Sequence, residues 1–118
     1  MPIAVLYRDE LKEYDFGAGH PFRGERYVEF HQFLREHLPE DDNYRIIKAD
    51  WASEEDLLLI CQREYIEATR EYYRAAYLGL SYSGSIYRYQ SGDNIPSGKP
   101  GKLEEAARLV IGQAKKAC

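Results

Sequence analysis

Between Tyr14 and Phe30 the chain reads YDFGAGHPFRGERYVEF, a glycine-rich loop that leads directly into an amphipathic segment. Its three glycines permit a tight turn and a close approach of backbone to another group. His20 can exchange a proton near neutral pH, and Arg23 and Arg26 can hold an anion. These residues by themselves leave two interpretations open, a simple strand-to-helix connection or part of a functional site.

Regular elements are predicted on both sides of this loop. The apolar run IAVLY at residues 3–7 predicts a buried strand, and YRIIKAD at residues 44–50 predicts a second strand. Between them, RYVEFHQFLREHL spaces its apolar side chains at helical intervals. Because a helix separates the two strands, we expect them to lie parallel in one small sheet.

Three more helices are predicted in the second half of the chain. Ser53 and the acids after it suit the start of a helix over EEDLLLIC, and EYIEATREYYRAAYLG and KLEEAARLVIGQAKKA predict two others. Residues 79–102 form a long irregular segment, and segments of that length in a compact chain are usually functional or disordered. The pattern predicts an α/β fold, a small parallel sheet with flanking helices, in a single domain over residues 1–118.

Composition narrows the class of protein. A chain of 118 residues has room for one domain, and a net charge of −4 with interspersed signs argues against a nucleic-acid partner. No apolar run approaches the roughly 20 residues of a membrane helix, so no membrane association is expected. The first residues meet charge too soon for a secretory signal, which favours a cytoplasmic protein.

Motifs for metal or nucleotide chemistry are not found in the sequence. The three histidines are His20, His31 and His37, and they form no HxH or HExxH pattern. Cys61 and Cys118 form no CxxC pair, and the GAG triplet lacks the third glycine of a dinucleotide fingerprint. We therefore predict no metal site, no cofactor and no catalytic residue in this chain.

Three stretches together resemble the histone deacetylase family, which includes acetoin-utilisation proteins and acetylpolyamine amidohydrolases. VLYRDELKEYDFGAGHPFRGERYVEF is similar to the N-terminal signature of that family. SEEDLLLICQREYIEATRE is similar to the segment in which a helix leads into a His-Ser-x-x-Tyr-Ile-like turn. SGDNIPSGKPGKLEEAARLVIGQAKKA resembles the acidic loop and the long glycine-containing helix that follow. The order and the spacing agree over nearly the whole chain.

The resemblance implies a zinc-dependent amidohydrolase with a three-layer α/β/α arginase/deacetylase fold. In that family a metal-activated water, a histidine pair, an Asp-x-His and a further aspartate perform the hydrolysis. All of these groups lie downstream of the stretches matched here. The chain is therefore expected to be an N-terminal portion that is not catalytic by itself, with zinc only in the intact family enzyme.

Four residues take roles from the resemblance. His20 and Phe22 match the loop that lines the floor of the acyl-lysine tunnel, with Phe22 as a wall of the pocket. Arg26 matches an arginine that lines the internal channel for the acetate product, and its guanidinium is expected to face inward against backbone carbonyls or a carboxylate. Asp93 resembles the rim aspartate that binds the substrate backbone. One extra residue precedes Pro96, so Asn94 is an alternative for that position.

Two hypotheses follow for function. In the first, the chain is the N-terminal piece of a deacetylase and needs a C-terminal catalytic half as its partner. In the second, it is a free-standing α/β module that binds a small anion or a protein. Two strands leave apolar surface uncovered, so self-association as a homo-oligomer is expected for the chain alone.

Overall fold

The computed structural model describes residues 3–41, 43–82 and 92–118. That part of the chain contains two strands and four α-helices, which follow one another as β1 (Ile3–Leu6), α1 (Glu25–His37), β2 (Tyr44–Ile47), α2 (Glu54–Leu58), α3 (Arg63–Leu78) and α4 (Leu103–Ala117). Short 3₁₀ turns occupy Asp9–Glu13 and Gly92–Asn94. The mixed α/β class is therefore confirmed.

The two strands form a parallel pair, as the sequence predicts. Ile3 lies opposite Tyr44 and Leu6 lies opposite Ile47, and α1 provides the connection between the strands. Both strands are shorter than predicted. The backbone ladder ends with the hydrogen bond of 3.0 Å from the Tyr7 amide to the Ile47 carbonyl, and just beyond it the Arg8 guanidinium donates a hydrogen bond of 3.2 Å to the Ala49 carbonyl.

The prediction of a buried strand is wrong for β1. Ile3 is 67% exposed, and no residue of β1 is fully buried. The apolar stripe of α1 is also uncovered, since Phe30 is 63% and Phe33 is 58% exposed. A sheet of two short strands offers too little surface for helices to enclose, so its apolar faces remain open to solvent.

The main core lies on α4 and not on the sheet. Leu109 of α4 is fully buried and packs with Tyr7 and Leu11, which both follow the end of β1. The side-chain amide of Gln113 donates a hydrogen bond of 3.1 Å to the Leu6 carbonyl and so joins α4 to that strand. A second, smaller cluster of Ala52, Leu57 and Ile66 joins α2 to α3, with Cys61 partly buried beside it.

Candidate functional site: the junction of two loops

Residues 14–24 and residues 92–101 pack against each other, and we call this region the two-loop junction. Backbone hydrogen bonds join the segments, from the Ser97 amide to the Phe16 carbonyl and from the Gly101 amide to the Asp15 carbonyl, each of 2.7 Å. The Ser97 hydroxyl adds a bond of 3.0 Å to the Ala18 carbonyl. The glycine-rich loop is thus anchored to a distant part of the chain.

Asp15 organises the first loop from within. Its Oδ1 atom accepts a hydrogen bond of 2.8 Å from the Gly17 amide, and Oδ2 accepts one of 3.2 Å from the Gly24 amide. The Nε atom of Arg23 lies 3.4 Å from Oδ1. One half-buried carboxylate therefore closes the loop across nine residues and neutralises one of its two arginines.

His20 connects the two loops through both ring nitrogens. Nδ1 accepts a hydrogen bond of 3.1 Å from the Phe22 amide, which places the ring hydrogen of a neutral imidazole on Nε2. Nε2 then donates to the backbone carbonyl of Asp93 across 2.9 Å. The ring also stacks on Phe16 with centroids 4.5 Å apart. His20 is held in one tautomer and one orientation at the junction.

Aromatic rings surround this histidine. Phe22 packs edge to face against Phe16 at 5.7 Å and is still 42% exposed. Tyr73 of α3 meets the other side of the cluster, with its ring 6.3 Å from that of Phe16 and its hydroxyl 3.2 Å from the Asn94 carbonyl. Burial raises the pKa of Tyr73 to about 12. The hydroxyl is therefore a neutral donor at physiological pH.

Asp93 and Asn94 lie next to each other in the 3₁₀ turn at the mouth of the junction. Both backbone carbonyls are occupied, one by His20 and the other by Tyr73. The Asp93 residue is exposed, and its carboxylate has no hydrogen bond or ion pair within the part of the chain that the structure describes. An exposed carboxylate of this kind is available to accept amide hydrogens from a ligand.

Arg26 lies outside this aromatic cluster. Its Nη2 atom donates a hydrogen bond of 2.6 Å to the Pro21 carbonyl, and the residue is exposed. It contributes to the wall of an open, mostly apolar cavity of about 490 Å³ between β1 and α1. The guanidinium is thus held by a backbone carbonyl at the open mouth of this cavity and not in an enclosed channel.

Sequence reasoning named His20, Phe22 and Asp93, and the structure brings these three residues to one place although His20 and Asp93 are 73 positions apart. It did not name Asp15 or Tyr73. For Asp15 a signal was present, because an aspartate two residues before a glycine commonly caps a turn. For Tyr73 there was none, since its role depends on the fold of a distant loop.

The described part of the chain contains no group of side chains that could bind a zinc ion. Among residues 3–41, 43–82 and 92–118, no three histidine, cysteine, aspartate or glutamate side chains converge to hold a metal ion. The junction therefore does not fit the zinc of the deacetylase family.

Among the residues that the structure describes, no helix combines the length and the apolar character that crossing a membrane requires.

The junction thus combines an aromatic cluster with one imidazole held by two hydrogen bonds and one exposed carboxylate. Compared with known proteins, the chain matches no family model, no curated protein and no solved structure.

Proposed function

We propose that this chain is the N-terminal portion of a deacetylase-like amidohydrolase that acts on acetyl-lysine or on acetylated amines, and that it requires a C-terminal half to catalyse. In this proposal the sheet is the first part of the three-layer α/β/α arginase/deacetylase fold, and the protein works in the cytoplasm. Zinc belongs to the intact enzyme and is held by residues outside this chain.

The observation that supports the proposal is the contact between His20 and Asp93. The resemblance assigns both residues to the substrate tunnel, one to its floor and one to its rim. In the structure the Nε2 atom of His20 lies 2.9 Å from the Asp93 carbonyl, and Phe22 packs beside them. A chance similarity of short motifs would not require these residues to meet.

Each residue has a role that its geometry allows. The exposed face of Phe22 would pack against the aliphatic part of an acylated side chain. The Asp93 carboxylate would accept amide hydrogens from the substrate backbone and so fix its register. His20 positions both by its two hydrogen bonds. Arg26, at the mouth of the neighbouring cavity, would hold the carboxylate product.

The uncovered apolar surface supports the need for a partner. The exposed side chains of β1 and α1 form the face that a longer sheet and further helices would cover. In the proposed enzyme the C-terminal half fills this place. For the chain alone, a second copy is the alternative occupant.

The test is reconstitution. The purified chain is mixed with a C-terminal half that carries the paired histidines and the Asp-x-His sequence, and acetate release from an acetylated lysine peptide and from an acetylated amine is measured. We expect no activity from either half and activity from the mixture. Asp93→Ala should weaken substrate binding, whereas Asp50→Ala, a change at an exposed aspartate away from the junction, should not.

Arg26 has a matched control on the same helix. Arg26→Ala should slow acetate release in the mixture, and Arg35→Ala, near the other end of α1, should have no effect. A mixture that assembles but stays inactive, or that is indifferent to both Asp93→Ala and Arg26→Ala, would favour the second hypothesis, a free-standing binding module.

A further inference from the structure

A second cavity, which plays no part in the proposed function, lies between α3 and the start of α4 and shares Tyr73 with the aromatic cluster of the two-loop junction. It has a volume of about 370 Å³, which is within the range of small-molecule sites. Its lining combines an apolar and aromatic wall with charged side chains, namely cationic Arg70, Arg74, Lys102 and Arg108 and acidic Glu104 and Glu105.

The charges in this cavity are unbalanced. Four cationic side chains face two carboxylates, which leaves a surplus of two positive charges. This surplus occurs in a chain whose net charge is −4, so it is opposite to the average of the molecule. A cluster of like charges on the walls of one cavity raises the local concentration of counter-ions.

The existing ion pairs leave much of this positive charge free. One carboxylate oxygen of Glu104, Oε1, makes ion pairs with two arginines. It lies 3.0 Å from Nε of Arg108 and 3.7 Å from Nε of Arg70. Arg74 is exposed and, within the described residues, makes no hydrogen bond or ion pair. Its guanidinium is therefore available to a ligand.

Lys102, the fourth cation of the cavity, packs over an aromatic ring. The Nζ atom of Lys102 lies 5.7 Å from the centroid of the Tyr77 ring. Lys102 also precedes the first turn of α4 and provides no side-chain cap there, so the positive end of the helix dipole adds to the same field. Beside these charges, Tyr77 and Leu78 supply an apolar wall.

We propose that this cavity binds a small organic phosphate monoester. A phosphomonoester carries about −1.5 to −2 charges at neutral pH and three acceptor oxygens, which matches a surplus of two cations better than a single carboxylate does. The guanidinium of Arg74 would bind the phosphate in a forked geometry, with Lys102 as a second positive group. The organic part would contact Tyr77 and Leu78.

The experiment is a titration of the 118-residue chain with phenyl phosphate, in which binding is measured by calorimetry and by changes in the NMR shifts of backbone amides. We expect saturable binding, with shifts in the segments around residues 70–78 and 102–108. Arg74→Gln should weaken the affinity by about tenfold or more, because it removes a charged hydrogen-bonding group from the site. Lys102→Gln should weaken it as well. Arg35→Gln removes an equal charge from α1 and should leave the affinity unchanged.

Two comparison ligands test the chemical class. Inorganic phosphate should bind more weakly than phenyl phosphate, because it lacks a group for the apolar wall, and equal affinity would overturn the choice of an organic ester. Benzoate should also bind more weakly, and equal affinity would overturn the choice of phosphate. The absence of saturable binding, or an equal loss in Arg74→Gln and Arg35→Gln, would overturn the site. Arg74 is exposed and has no ion pair or hydrogen bond with the residues that the structure describes, so its replacement should leave the fold intact.

Discussion

At the scale of single residues, Gly17 and Gly19 offer a controlled comparison within the two-loop junction. Both adopt positive φ angles, +101° and +87°, which disfavour any side chain. A Cβ atom at Gly17 would lie 1.4 Å from the Ser97 carbonyl oxygen, whereas one at Gly19 would meet nothing within 4 Å. An alanine would therefore suffer backbone strain at both positions, but it would have free space only at residue 19.

We therefore expect different costs for the same substitution. Gly19→Ala should lower the free energy of unfolding by about 1 to 2 kcal/mol, from strain alone. Gly17→Ala should cost about 2 kcal/mol more, because the added methyl group separates the two loops. Urea unfolding followed by circular dichroism measures both. Equal losses would contradict the close packing of Ser97 on Gly17.

Tyr73 predicts a pH dependence of stability. Burial raises its pKa to about 12 in the folded protein, whereas an unfolded tyrosine titrates near about 10. The unfolded chain therefore loses this proton first, so the stability contributed by the buried hydroxyl is complete below about pH 10 and is lost as the pH rises toward about 12.

Tyr73→Phe should reduce this alkaline loss, although it also removes the hydrogen bond to Asn94, worth about 1 kcal/mol at neutral pH. The measurement is the urea midpoint at several alkaline pH values. Tyr77→Phe, which removes an exposed hydroxyl from the same helix, is the control. An unchanged alkaline slope in Tyr73→Phe would contradict the assignment.

At the scale of elements, α2 is a helix of five residues that depends on its cap. The Ser53 hydroxyl accepts a hydrogen bond of 3.1 Å from the Asp56 amide, and the Asp56 carboxylate accepts one of 2.9 Å from the Ser53 amide. The ammonium of Lys115 lies 2.9 Å from that carboxylate and joins α2 to the end of α4. Hydrogen bonds from Lys115 and Ser53 hold the pKa of Asp56 below its usual value.

Removing the cap should have a measurable cost. Ser53→Ala is expected to lower the free energy of unfolding by about 1 kcal/mol, because the Asp56 amide loses its side-chain partner and the reciprocal bond from the residue-53 amide to the Asp56 carboxylate is weakened. Ser81→Ala, at an exposed serine outside any helix, should change it little. Thermal and urea unfolding measure the stability of the two variants. Equal stability of Ser53→Ala and the unaltered chain would show that α2 is held by packing alone.

At the scale of the whole molecule, apolar surface is left in the open. It includes Phe30 and Phe33 on α1, Ile3 in the sheet, and Leu59 and Ile60 after α2, the last two 83% and 85% exposed. Burial of such side chains yields about 25 cal/mol per Å², so contact with another protein surface is favourable. We expect the chain alone to form a dimer or a higher oligomer.

Light scattering across a range of concentrations tests this expectation. Phe30→Gln together with Phe33→Gln should shift the population toward monomer, and Glu29→Gln, on the same helix, should not. A monomer at high concentration would contradict both self-association and the proposed need for a covering half.

The local elements could be predicted from the sequence because their causes lie within a few residues. Helical spacing in α1 and α3, the serine and acids before α2, and the two short apolar runs each determine backbone conformation over a short window. The parallel pairing followed from the helix between the strands. The glycine-rich loop was recognised as special from its own residues, including His20 and Arg26, whereas Phe22 and Asp93, the latter in the second loop, were named from the resemblance.

Contacts between distant segments were decided only by the tertiary structure. The link from His20 to Asp93, the packing of Tyr73 on Phe16 and the exposure of β1 depend on which surfaces meet, and no periodic pattern encodes that. The cationic cavity has the same origin, because its arginines come from α3 and α4 and become neighbours only when the helices pack. The sequence by itself determined the elements and the candidate loop, whereas packing determined which side chains share a site.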